Sequence, residues 1–264
     1  MTVPSPPRLA IVTVVRDDLA GLVDTHDSLR GQLGPDVLWL VADGASSDGG
    51  ADWLADHADI PAWWRSACDS GLYDAMNEAI DAARGLGASH LLFLNAGDRL
   101  AAADGAGRLM RAIGRHPACA LLYGDALERL EDGRILLKRA RSRRWAPFGM
   151  FTHHQAMIYR VAALSGLRFD PAYRIAADYA FTLAVLERGK AVRLDWPVCL
   201  FAPGGLSQRE AAAGRREQAA IRERHFGHGP LRGTMIAMAQ RVALALRQHF
   251  PGAYAKLRFR CPDA

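Results

Sequence analysis

The chain has 264 residues, half of them hydrophobic and 23% charged, an ordinary globular composition with enough apolar mass for a sizeable core. Its net charge of +5 sits at the end of the chain: from Gly205 onward eleven Arg or Lys face four acids, a local excess of +7 that leaves −2 on the first 204 residues. A near-neutral body with a basic tail argues against a nucleic-acid-binding domain, and no uncharged run reaches the length of a membrane span.

The first residues, Met-Thr-Val-Pro-Ser-Pro-Pro, lack the basic-then-apolar order of a secretory signal. Leu9–Val15 is rich in β-branched residues and predicts a first buried strand. Asp17 or Asp18 can cap a helix that runs to about Arg30. Val37–Ala42 predicts a second strand, ending in the turn formers Asp43-Gly-Ala-Ser-Ser-Asp-Gly49, with a short helix to about His57. Ala62–Ser66 predicts a third strand, then Asp69-Ser-Gly71 and a helix from Leu72 to about Arg84. Leu91–Leu94 is apolar without alternation, the pattern of a strand buried on both faces, and it stops at Asn95-Ala-Gly-Asp98. A helix from about Ala103 to Arg115 follows.

Strand and helix in alternation predict a doubly wound α/β sheet. Asp43, Asp69 and Asp98 each follow a strand, so the three carboxylates should crowd the carboxyl edge of that sheet, where open α/β folds bind ligands. Asp43 and Asp69 are also good helix caps, and that role stays open for both.

The second half has a different rhythm. Ala120–Asp125 predicts a strand, and Leu127–Leu137 a hairpin turning at Glu131-Asp-Gly-Arg134. Lys138–Arg144 forms a basic loop, and His153–Tyr159 predicts another strand. Asp178 opens a helix to about Arg188 and can serve as its cap. Val192 and Val198–Phe201 predict short edge strands, and two helices close the chain, about Arg209–Phe226 and Leu231–Phe250. Cys68, Cys119, Cys199 and Cys261 stand far apart without C-x-x-C spacing and are expected to be free thiols in a reducing compartment.

G-x-G-x-x-G, G-x-x-x-x-G-K-[ST] and G-x-S-x-G are all absent, which argues against a dinucleotide oxidoreductase, a P-loop ATPase and a serine hydrolase. Taken as a set, Asp43-Gly-Ala-Ser-Ser-Asp-Gly49, Asp69-Ser-Gly-Leu-Tyr-Asp-Ala-Met-Asn77, Phe93-Leu-Asn-Ala-Gly-Asp98, His154-Gln155 and Ala177-Asp178 resemble the family 2 glycosyltransferases, in particular the bacterial exopolysaccharide and colanic-acid type. The resemblance covers about residues 8 to 226 and implies a GT-A fold, Rossmann-like with a mixed sheet and C-terminal helices.

The resemblance also implies an inverting transfer from a nucleotide-sugar donor, a UDP-sugar first among them, with Mg²⁺ or Mn²⁺. By position, Asp43 and Asp69 would contact the nucleotide, Asp98 would bind the metal and Asp178 would be the general base. Asn95, His154 and Gln155 would lie near the donor or the acceptor. One departure stands out: many family members have an acid-rich segment where this chain has a single carboxylate, Asp98.

The implied acceptor is a polysaccharide or lipid-linked saccharide, and the implied location is cytoplasmic, at the inner face of the plasma membrane. The expected organisation is a transferase domain over residues 1–226 and a basic amphipathic tail over 227–264. In that tail Leu231, Met235, Met238, Val242 and Leu246 share a face, which suits packing or an anionic membrane surface. A nucleotidyltransferase and a nucleotide-sugar binder without transferase activity are the alternatives.

Overall fold

The computed structural model describes residues 8–130, 132–227 and 229–249. The expected tail cations Lys256, Arg258 and Arg260, and Cys261, lie outside these residues. Cys68, Cys119 and Cys199 are free thiols.

One sheet organises the molecule. Its parallel half is β1 (Leu9–Val15), β2 (Val37–Asp43), β3 (Trp63–Ser66) and β4 (His90–Phe93). β1 pairs with β2 and β4, and β2 with β3, all parallel. Crossover segments return the chain to the same end each time: α1 (Leu19–Leu29), α2 (Gly50–Asp56) and α3 (Leu72–Gly85). β1 and β4 are buried along their whole length, as their largely apolar sequences require. Each Leu, Ile or Phe fully buried this way contributes about 1.5–3 kcal/mol.

The other half begins with β5 (Arg99–Leu100), α4 (Gly105–Arg115), β6 (Leu121–Arg129) and β7 (Ile135–Lys138). It continues with β8 (Met157–Arg160), α5 (Ala177–Glu187) and β9 (Ala191–Phe201). The strand order is β3-β2-β1-β4-β8-β6-β9-β5, with β7 paired to β6 as the expected hairpin. β8 is antiparallel to both β4 and β6, so the sheet is mixed. The chain closes with α6 (Leu206–Arg209), α7 (Ala211–Phe226) and α8 (Pro230–His249).

Three expectations are corrected. The predicted strand His153–Tyr159 begins only at Met157, because His154–Ala156 form a 3-10 turn that closes with a bond from Ala156 N–H to the His153 carbonyl. The two predicted edge strands at Val192 and Val198–Phe201 are one strand, β9, lying between β6 and β5. Asp195 and Pro197 break its apolar pattern. The β6–β9 ladder shifts register where Pro197 sits opposite Asp125, and such an irregularity accommodates a residue with no N–H. Gly124 belongs to that shift, since a Cβ there would meet the Trp196 carbonyl at 2.7 Å.

The third correction concerns the basic loop. Lys138 ends β7, and Arg143–Phe148 wind into a 3-10 helix.

Candidate active site

The parallel strands end together. In the register, Asp43 stands beside Val15 of β1 and Ser66 of β3, and β4 runs on so that Ala96 N–H bonds the Val14 carbonyl. The expected convergence at one sheet edge is therefore present. What each carboxylate does there differs.

Asp43 is fully buried. One of its oxygens accepts the Ser46 hydroxyl, and the other accepts Ser46 N–H at 3.0 Å and the Ser66 hydroxyl at 2.5 Å. It fixes the β2–α2 loop. That loop is laced to the β1–α1 loop: Asp17 N–H donates to the Ser46 hydroxyl, Ser47 N–H to Asp17, and Leu19 N–H to Asp48 at 2.6 Å. Asp17 and Ala45 both hold positive φ, at 50° and 58°, backbone conformations that non-glycine residues adopt at a cost and that often mark ligand sites.

Asp69 is partly exposed and lies across the crevice from Gly44, where a Cβ would come within 3.1 Å of its Oδ2. Its other oxygen accepts Gly71 N–H at 3.0 Å and opens α3.

Asp98 follows β4 through a turn in which Gly97 takes φ 85°, a conformation suited to glycine. It is buried, and Oδ1 accepts Ala202 N–H at 2.8 Å from the segment after β9. Burial pushes its carboxyl up to about 7, opposed by the Ala202 N–H and by a hydrogen bond from the Gln155 side chain. Gln155 is thus brought directly to Asp98. Asn95 Oδ1, in the same turn, is buried without a hydrogen-bond partner.

His154 stacks on Phe93 at 5.0 Å and meets Phe169 edge-on. Burial holds its pKa down at about 3, so the ring is neutral near pH 7. Its Nε2 has no partner.

The aromatic group continues to the other side of the site. Phe169 stacks on Tyr73 of α3 at 5.4 Å, and the Tyr73 hydroxyl donates to the Ile175 carbonyl at 2.7 Å. Ile175 leads into α5, whose first turn carries Asp178. The loop that opens at Asp69 and the helix that opens at Asp178 are therefore tied together through Tyr73. Asp178 is half-buried, and burial raises its carboxyl to about 6. Tyr179 N–H at 2.7 Å and the Tyr73 hydroxyl favour the anion, and the charge of Glu217 opposes it.

Sequence reasoning missed several polar groups around the site. Glu217 of α7 accepts three backbone N–H groups just ahead of α5. Glu128 of β6 is buried beside Lys138 at 3.1 Å and His153 at 3.4 Å. Burial alone would raise Glu128, but the His153 hydrogen bond and the Lys138 charge outweigh it and hold the carboxyl at about 2. Their spacing along the chain carries no motif, because their partners come from other strands.

Among the described residues, no three His, Cys, Asp or Glu side chains gather to hold a metal ion. Asp98 is nonetheless a buried carboxylate in want of positive charge, with the unpartnered Asn95 oxygen in the same turn. Hard divalent ions take oxygen ligands and complete their shell with substrate phosphates and water. The donor set fits an ion held jointly by the protein and a bound diphosphate.

The half-parallel, half-antiparallel sheet with its carboxylate edge is a GT-A type fold. A structure of S. aureus TarS 1–349 in complex with UDP-GlcNAc superposes with a TM-score of 0.63 at 14% identity, covering 92% of this chain and 73% of that one. In another TarS 1–349 structure the chain spans 65% of its length. The mannosyltransferase PcManGT from Pyrobaculum calidifontis, in complex with GDP-Man and Mn²⁺, superposes with a TM-score of 0.59 at 18% identity, covering 96% of this chain and 74% of that one.

No protein-family model matches the chain. The uncharacterized glycosyltransferase Rv1514c of Mycobacterium tuberculosis is 30% identical over 220 residues, spanning 79% of this chain and 80% of that protein. The chain belongs to the glycosyltransferases and is an enzyme.

Proposed function

We propose that the protein is an inverting, family 2 type transferase that moves one sugar from a nucleotide donor to a saccharide or lipid-linked acceptor, with Asp178 as general base. The observation that carries this reading is the position of Asp178. It sits in the first turn of α5, tied by Tyr73 to the donor-side loop at Asp69, with a carboxyl at about 6. A base of that strength is ionised at neutral pH and still takes a proton readily.

In the transfer, Asp178 accepts the proton of the acceptor hydroxyl. The acceptor oxygen bonds the anomeric carbon as the bond to the donor diphosphate breaks, and a nucleoside diphosphate leaves. One base suffices, and no covalent enzyme intermediate is needed.

On the donor side, Asp43 shapes the loop that meets the nucleotide, and Asp69 offers its exposed edge to the nucleoside. Asp98, with Asn95 beside it, would hold Mg²⁺ or Mn²⁺ against the diphosphate, and such an ion neutralises the leaving group as a Lewis acid. Gln155 orients Asp98. Neutral His154 supports that turn by packing and presents Nε2 without a partner.

The acceptor side faces a surface suited to a membrane. Met235, Met238 and Val242 of α8 are exposed at 72%, 67% and 55%, and Trp145 and Phe148 at about half. Gln240 of α8 donates to the Phe148 carbonyl at 3.4 Å, which joins the two patches. Arg141 lies over the Trp145 ring at 5.2 Å. Apolar residues interleaved with arginine suit an anionic lipid surface, where each nearby cation contributes about 1 kcal/mol. No helix among the described residues is long and apolar enough to cross a membrane.

The test is thermal stabilisation by UDP, GDP, dTDP and CMP, each with and without Mn²⁺, followed by donor turnover with the nucleotide that binds. A metal-dependent shift with one nucleotide, and release of that nucleotide from its sugar, is expected. Metal-dependent binding without turnover under any acceptor condition would favour a binder with no transferase activity.

A further inference from the structure

Resting on Asp178 as the base, we infer that Glu217, 39 residues downstream on α7, is the positioning residue that sets the place and basicity of that carboxylate. Its Oε1 accepts Arg174 N–H at 3.0 Å, and its Oε2 accepts Ile175 N–H at 2.9 Å and Ala176 N–H at 2.8 Å. Those three consecutive donors are the last backbone groups before α5. The N-cap residue of α5 is Ala176, which has no side-chain oxygen to offer. Helix N-termini present backbone N–H groups that need acceptors, and a negative charge there is favoured by the helix dipole. Glu217, from a neighbouring helix, accepts the three N–H groups that lead into α5 and places its charge at that end of the helix.

The rest of α7 is fitted to the same contact. Gly214, one turn before Glu217, lets α7 approach so closely that a Cβ there would meet Ile175 Cγ2 at 2.9 Å. Arg174 also reaches Glu210 at 2.7 Å, and buried Arg222 lies against Tyr179, the residue after the base. The carbonyl of Ile175 is held from the other side by Tyr73. The peptide ahead of Asp178 is thus gripped at its N–H groups by α7 and at its carbonyl by α3.

Glu217 also acts on charge. The groups that face Asp178 are Tyr73 from α3, Tyr159 from β8 and Glu217 from α7. Of these only Glu217 is a second carboxylate, and it opposes ionisation of Asp178. Moving the base by about 1 Å costs about 10²-fold in rate, because proton transfer requires a set geometry. A charge change moves the acid limb of the rate profile instead. The two effects are separable.

The experiment compares Glu217→Gln and Gly214→Ala with wild type in full-length enzyme, using sugar transfer across pH 5–9 and UDP-induced thermal stabilisation with Mn²⁺. Glu217→Gln is expected to lower kcat about ten- to a hundredfold with donor KM unchanged, and to move the acid limb of kcat/KM below its wild-type position. Gly214→Ala is expected to lower kcat by displacing the same peptide, without moving the acid limb. UDP stabilisation persists in both, which shows that the donor side is folded.

Wild-type kcat and an unmoved limb in Glu217→Gln would overturn the inference while leaving Asp178 as base. Near-normal transfer by Asp178→Asn would instead remove the base assignment and the inference with it. If Glu217→Gln does not fold, a Gly214→Ala enzyme with wild-type kcat overturns the inference on its own.

Discussion

The parallel and antiparallel halves of the sheet hold their carboxylates by different means. In the parallel half, Asp43 is bound by Ser46 and Ser66 and Asp69 by Gly71, groups on its own or the adjoining loop. In the other half, Asp178 depends on Tyr73 from α3 and on Glu217 from α7. The proposed donor edge is therefore a property of local loops, and the proposed base is a property of tertiary packing. Asp98 stands between the two, since it leaves a parallel strand and is held by the backbone after β9. Changes on the donor edge should alter nucleotide and metal dependence, and changes around Asp178 should alter transfer and its pH profile.

The largest effect that separates the halves is expected at Asp98. Asp98→Asn should abolish Mn²⁺-dependent stabilisation by the nucleotide and lower transfer by about 10³-fold, the loss of a Lewis acid being several kcal/mol. Differential scanning fluorimetry and a nucleotide-release assay read both. Retained metal dependence would move the ion away from Asp98.

Next in size is the acid limb. The wild-type kcat/KM is expected to fall as pH drops through about 6, because Asp178 must be ionised to act and its carboxyl is raised by burial. A limb near 4 would mean that the base is an exposed carboxylate elsewhere.

Stability should move the other way. The Asp98 carboxyl rises from 3.8 to about 7 and that of Asp178 from 3.8 to about 6 on folding. A raised carboxyl favours the folded state fully below the unfolded pKa, and that contribution is lost as pH climbs through the folded value. Melting temperature should therefore fall between pH 4 and 7 through these two groups. Asp98→Asn should flatten that fall when the variant and wild type are compared at each pH. An equal slope in both would show that Asp98 is not protonated in the folded protein.

The smallest effect is expected at the surface. Met238→Asp should leave soluble-substrate turnover unchanged and reduce flotation with anionic liposomes at low salt by a few fold. Equal flotation of both proteins would place membrane contact elsewhere.

Much of the parallel half is legible in the sequence because β1 and β4 are buried on both faces, β2 nearly so, and each strand ends in turn-forming residues. β1 was delimited to the residue, and the convergence of Asp43, Asp69 and Asp98 followed from strand order alone. The antiparallel half was less legible for physical reasons. β9 carries Asp195 and Pro197 through a register shift, which splits its apolar signal into two pieces. β5 is two residues long and has no period at all. His154–Ala156 turn where the sequence suggests a strand, because the His154 side chain packs into the aromatic group and that of Gln155 bonds Asp98. The role expected of Asp178 rests on the family resemblance. Glu217 left no trace, because its partners are backbone N–H groups, which no side-chain pattern encodes.

The most direct test of the account is Asp178→Asn, assayed for sugar transfer and for UDP stabilisation with Mn²⁺ on the same preparation. The account predicts transfer reduced by about 10²–10⁴-fold with nucleotide binding intact, since the base belongs to the half of the site that does not hold the donor. Near-normal transfer, or loss of nucleotide binding together with transfer, would contradict it.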